Sequence, residues 1–222
     1  MNDVLRVFYE RKKEIDAYFE LLNDFMINNA KIIFKDGTQK KISNDLAQIL
    51  RANSFILIYN LSEYSISKAI ESIYLDIRKK GISFDEIRDN IKKDIIANIK
   101  SSRNAEKFVE EVTNIATDIL NQHPKANELF SGNVNNEEIK RLAIKYGFSH
   151  TTTARETNNG QKMDSVKKRR NHLAHGFTSF KECGQEFTIE EMNIIKKEVL
   201  LFLEEILLNI QQYIQKEEYR KA

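Results

Sequence analysis

The sequence predicts an all-α domain with a lateral helical insertion and one small β-hairpin, and three observations carry that prediction. Only 7 Gly and 1 Pro punctuate 222 residues, too few turn formers for a sandwich or barrel of short strands. Apolar residues recur at helical spacing through most of the chain. Hydrophobic residues make up 41% and charged residues 31%, the balance of a folded globular protein rather than a disordered or fibrous one.

Each element follows from a local pattern. From Asp3 to about Asn29, Leu5, Phe8, Ile15, Phe19, Leu22 and Phe25 fall on one helical face, so an amphipathic helix is expected. Lys31-Ile32-Ile33-Phe34 and Lys41-Ile42 flank Lys35-Asp36-Gly37-Thr38, whose Asp-Gly pair favours the two positive φ values of a tight hairpin turn. Ser43 or Asn44 then caps a long helix reaching about Lys80, stopped by Gly81. Between Phe55 and Ile70 its apolar residues cover nearly the whole circumference, which marks it as a central helix surrounded by others.

The lateral part spans about 82–135. Ser83 and Glu86 have capping-box spacing and open a helix to about Lys100, followed by another from about Asn104 to Gln122 before Pro124. Asn136 caps a short helix, Glu137 to Tyr146, that ends at Gly147. The stretch from Phe148 to about Asn159 is polar and rich in Thr, a composition that suits an exposed loop beside the motif described below. A helix from Gln161 to His175 stops at Gly176. Thr188 and Glu191 repeat the capping box and start a helix to about Tyr219, with Ile189, Met192, Ile195, Val199, Phe202, Ile206, Ile210 and Tyr213 on its core face. No linker is long enough to separate two domains, so 1–222 is expected to form one.

Composition narrows the compartment and the partners. A single cysteine, Cys183, forms no internal disulfide and no multi-cysteine metal site, and an inert thiol is expected. Apolar runs such as Phe55 to Tyr59 are far shorter than the ~20 residues that span a bilayer. Met1 to Arg6 lacks the residue order of a signal peptide. The expectation is a cytoplasmic protein with no membrane partner. The net charge of +2 is too small to steer the whole molecule toward nucleic acid, so an anionic partner must be met by a local basic cluster.

Lys167-Lys168-Arg169-Arg170-Asn171-His172-Leu173-Ala174-His175-Gly176 is that cluster, and it holds two of the four histidines. Four consecutive cations attract a phosphate backbone, an arginine holds a phosphate bidentately, and histidines exchange protons near neutral pH. This set suffices for metal-free RNA cleavage: a base deprotonates the ribose 2′-hydroxyl, its oxygen attacks the adjacent phosphorus, and a cation stabilises the pentacoordinate transition state. Arg170 suits the charge and His175 the proton, with Lys167, Lys168 and Arg169 on the RNA backbone. His172 is a supporting candidate. Asn60 and Glu63, one turn apart in an apolar helix, need hydrogen bonds, and Glu63 is a candidate for orienting Arg170. His172 and His175 lack the companion ligands of a zinc site, so no metal and no cofactor is expected.

The run Arg170 to Gly176 resembles the Arg-x4-6-His signature of the HEPN superfamily. The Ala52 to Tyr74 helix with Tyr59-Asn60-Leu61-Ser62-Glu63 at its middle is similar to the second helix of a stand-alone branch, the MAE-type HEPN-like nucleases. So are Phe130-Ser131-Gly132-Asn133 with Ile139 to Phe148, and Phe187-Thr188-Ile189 leading into a long terminal helix. The resemblance implies an antiparallel helical bundle that dimerises, so that two motifs form one composite ribonuclease site. It matches Arg170 and His175 to the invariant pair and Asn171 to the polar residue that follows the arginine. It further implies a toxin or effector in a bacterial phage-defence or toxin–antitoxin system, with a cognate antitoxin or defence-system partner. Geometry agrees with a composite site, because residues five apart on a helix of ~3.6 residues per turn lie about 140° apart.

Two other classes are open. One is a catalytically silent helical binding or antitoxin module, which would leave Arg170→Ala and His175→Ala without effect. The other is a helix-turn-helix DNA reader, suggested by Ala143 and Gly147 at the spacing of that motif; His150-Thr151-Thr152-Thr153, a poor helix former, stands where its second helix belongs.

Overall fold

A Ser side chain that accepts the Leu46 N–H starts the longest element, α2 (Asn44–Lys79), whose 36 residues extend ~54 Å at helical rise. The structure is a computed structural model and describes residues 1–101 and 133–221. Three further long helices line α2: α1 (Asn2–Met26) before it, α6 (Gln161–Ala174) and α8 (Ile189–Gln215) after it. Tyr59, Phe55, Ile58, Ile66 and Ile70 are fully or almost fully buried, as expected of a central helix. Asn60 is exposed, so it needs no buried partner, contrary to the expectation from the apolar run around it.

Side-chain pairs give the packing sense. Along α1 and α8 they run Asn2–Gln211, Lys12–Glu204, Asp16–Lys196 and Asn23–Asn193, which makes the helices antiparallel. Arg11 lies over the Tyr64 ring and the Tyr18 hydroxyl donates to the Leu50 carbonyl, so α1 and α2 are antiparallel as well. The fold is an all-α, HEPN-like helical bundle with one two-stranded hairpin, as the sequence predicts.

Several local expectations need correction. α1 ends at Met26, three residues short of Asn29, which has a positive φ. The hairpin pairs β1 (Ile32–Ile33) with β2 (Gln39–Lys40), but only Gly37 of the Asp-Gly pair has positive φ. Asp36 instead accepts from the Thr38 N–H and hydroxyl, closing the turn with its side chain. Asn135, not Asn136, caps α4 (Asn136–Tyr146) by accepting the Glu138 N–H.

The Ser83 capping box does not form. Phe84–Glu86 is a single 3-10 turn, Ile87 is extended and bridged to Arg220, and α3 (Asp89–Ser101) begins only afterwards. Tertiary pairing wins there: the Arg88 N–H donates to the Tyr219 carbonyl and the Lys221 N–H to Glu86, while Ile87 is fully buried. The expected helix from Asn104 to Gln122 lies outside the described residues.

The stretch after α4 is not a solvated loop throughout. Phe148, Thr157 and Gly160 are buried, a short helix α5 (Ala154–Thr157) and a 3-10 turn occupy its second half, and Glu205 and Asn209 of α8 bond the backbone at Thr153 and Thr151. No helix follows α4 in the position a helix-turn-helix requires, since residues 148–153 are extended or irregular. α8 stops at Gln215 rather than near Tyr219, because Glu217 turns to positive φ and Tyr219 folds back into the core.

The sequence reading missed α7 (Phe180–Gln185), which opens on a full capping box of Ser179 and Glu182. Gly184 lets α7 touch α2: a Cβ there would sit 1.8 Å from the Gln48 carbonyl oxygen, and the Gly184 carbonyl accepts from Arg51 Nε at 2.9 Å. Gly184→Ala must therefore push the two backbones apart, at about 2 kcal/mol, the cost of overpacking. The expected result in thermal denaturation is a melting temperature lower by ~4–8 °C, whereas Gly81→Ala, with open space around it, lowers it less.

Candidate functional site

Helix α6 carries the whole motif, and its two ends are built differently. Its buried side is Met163, Val166 and Leu173, which face the bundle core. Its C-terminus closes with the Phe177 N–H donating to the His172 carbonyl and the Gly176 N–H to Leu173. That double bond pattern requires a left-handed residue between, and Gly176 has φ +71°. His175 is thus the C-cap residue, just past the last helical position, and stands exposed. Phe177, 76% exposed, lies with its ring centroid 5.7 Å from His175 and 6.1 Å from His172.

The basic run divides over three directions. Arg169 forms an ion pair with Glu186 at 2.6 Å and lies over the Phe187 ring, so it ties α6 to the chain entering α8. Arg170 lies over the ring of Tyr59 of α2, its guanidinium carbon 4.5 Å from the ring centroid, and donates to Asn171 Oδ1 at 2.9 Å. Lys167 and Lys168 make no ion pair among the described residues. With Asn171, His172, Asp164 and Asn135 they line an open groove of about 340 Å³.

Tyr59 is what sequence reasoning missed under the arginine. It is 1% exposed, and its hydroxyl accepts the Val134 N–H at 3.2 Å. Burial pushes its hydroxyl pKa up; the Val134 bond and the Arg170 charge act against that, and the Glu63 charge adds to it. Glu63 is half-buried one turn further along α2, and no hydrogen bond or ion pair among the described residues joins it to Arg170. The signal for Tyr59 was present, as an aromatic residue one turn before Glu63 on the same helix. The signals for Asn135 and Asp164 were not, because their 2.7 Å bond joins residues distant in sequence.

The structure thus brings Arg170, Asn171, Lys167, Lys168 and His172 to one side of the bundle, with Arg169 committed elsewhere. It does not bring His175 to Arg170. α6 runs unbroken to Ala174, so the two keep the angular separation of an ordinary helix, and no bond links them. No three His, Cys, Asp or Glu side chains converge to a metal-binding group among the described residues, and no described helix is long and apolar enough to cross a membrane. Burial pushes the Cys183 thiol up, which suits an unreactive packing residue.

Compared with known proteins, residues 3–219 match the family model described as HEPN_MAE_28990/-like HEPN. No curated protein and no solved structure matches the chain.

Proposed function

Because the chain belongs to the HEPN superfamily, in its MAE_28990-like branch, we propose that it is a metal-independent endoribonuclease whose site is completed by a second copy of the chain. The observation that carries this reading is the mounting of Arg170: a guanidinium held over a buried aromatic ring, beside an open groove with two lysines that make no ion pair among the described residues. A cation so fixed is ready for developing phosphate charge without reorganising. His175, exposed at the helix end, is free to reach a 2′-hydroxyl bound to the partner copy.

In the reaction, His175 takes the 2′-hydroxyl proton and the 2′-oxygen forms a bond to phosphorus. The bond from phosphorus to the 5′-oxygen breaks as that oxygen takes up the proton His175 has accepted, giving a 2′,3′-cyclic phosphate and a 5′-hydroxyl, while Arg170 offsets the charge on the equatorial oxygens. Asn171 holds the Arg170 fork through its 2.9 Å bond. In the cell, such an activity fits a toxin or defence effector restrained by a partner protein.

The test is incubation of the purified chain with a mixed RNA pool in excess EDTA. Cleavage that leaves cyclic-phosphate ends is expected. Intact RNA with a stable, RNA-binding dimer would overturn the reading in favour of a silent binding module.

A further inference from the structure

A carboxylate lies where only cations are expected. Asp164 precedes Lys167 and Lys168 by three and four positions, the spacing at which helical ion pairs form, yet it pairs with neither. Its Oδ1 instead accepts from Asn135 Nδ2 at 2.7 Å. Asn135 is itself fixed, 8% exposed and capping α4 through its Oδ1. Both side chains line the 340 Å³ groove with the two lysines, Asn171 and His172. Asn171 also links the groove to the arginine, because its Oδ1 accepts from Arg170.

For a bare phosphate this arrangement is poor, since a fixed carboxylate repels it. For a nucleotide it is complementary. Two ammonium groups suit a backbone phosphate, and a carboxylate accepts from neighbouring N–H donors on a base edge. Guanine presents N1–H and N2–H₂ side by side. Adenine sets a lone pair beside its amino group, cytosine does the same, and uracil flanks its single N–H with two carbonyls.

We propose that this groove is a nucleotide subsite beside the scissile phosphate, with Lys167 and Lys168 on the backbone and the Asp164 carboxylate, held by Asn135, on the donor edge of a guanine. Its place in the reaction rests on the ribonuclease reading. Asp164 is a specificity residue, not a proton carrier.

The experiment uses short RNAs identical but for one position, carrying guanosine, inosine, adenosine, cytidine or uridine. Binding is measured on the His175→Ala chain and cleavage on the wild type, each with and without Asp164→Asn. A guanosine preference of roughly ten- to hundred-fold is expected, the range of a good bidentate edge contact, with inosine intermediate because it lacks the 2-amino group. Asp164→Asn should abolish the preference and leave binding of the other RNAs within about two-fold, since asparagine still offers an oxygen to Asn135. Equal binding of all five RNAs, or a uniform loss in Asp164→Asn, overturns the subsite. The guanosine–inosine comparison needs no substitution at Asp164, so it decides the matter even if that variant unfolds. Cleavage without base preference leaves the ribonuclease reading standing and removes the subsite; guanosine-selective binding without cleavage does the reverse.

Discussion

Arg170→Ala and His175→Ala are each expected to reduce RNA cleavage by about 10²–10⁴-fold, the range lost with a charge stabiliser or a proton-transfer group. Neither change should unfold the chain. Arg170 rests on Tyr59 through a cation–π contact of about 1 kcal/mol at a half-buried site, and His175 is exposed. Melting curves close to wild type are therefore the control. The two variants also report how the site is assembled. Arg170 lies within α6 and His175 just past its last turn, with no bond between them, so under the proposed composite site the productive pair is drawn from two copies. Mixing the inactive variants should restore cleavage, because a mixed dimer contains one intact arginine and one intact histidine facing each other. Mixtures that stay inactive, although subunits exchange, would place both groups in one chain and sink the composite site.

Asp94→Ala should cost about 3–5 kcal/mol, the penalty for leaving buried polar partners unmatched. Asp94 is the hub of a buried cluster: Tyr74 and Tyr146 donate to its Oδ2 at 2.6 and 2.5 Å, Lys145 donates to its other oxygen, and the two hydroxyls lie 3.0 Å apart. It joins α3 to α2 and α4, so its loss should loosen the anchorage of α3 and lower the melting temperature by ~6–20 °C. Acid should act on the same hub. Burial raises the Asp94 pKa, but the bonds from Lys145, Tyr146 and Tyr74 outweigh it and hold the carboxyl below its ordinary range. A carboxyl whose folded pKa is depressed contributes stability in full above its unfolded value of about 3.9, and that contribution disappears as pH falls through the lower folded value. Wild type should lose this increment below about pH 4, while Asp94→Asn, which does not ionise, should lack it at every pH. Parallel acid-stability curves for the two chains would contradict the assignment.

How much of this was legible in the sequence depended on the range of the interactions. Helices α1, α2, α6 and α8 announce themselves through local periodicity and caps, and the Ser43 and Thr188 caps form as expected. The Ser83 box fails because its residues are claimed by a bridge to Arg220, a partner far away in the chain. α7 was overlooked because six residues hold too few apolar positions to show a period, although its Ser179–Glu182 box is as complete as that of α8. In the site, the cations and histidines were readable as a run. Their division was not: Arg169 differs from Lys168 only by meeting Glu186 and Phe187, and Arg170 differs by meeting Tyr59.

The burial of α2 on nearly every side sets an order of events during synthesis. Of the helices that cover it, only α1 is made before it; α6, α7 and α8 begin at Gln161, Phe180 and Ile189. On a ribosome working at ~5–20 residues per second, roughly a hundred residues separate the two, so this apolar rod waits about 5–20 s for its cover. A nascent chain in that condition is a client for any chaperone that holds exposed apolar segments. Tyr59 emerges early and Arg170 late, so the seat for the guanidinium is ready before its occupant, and the site takes shape only as translation nears Gln215.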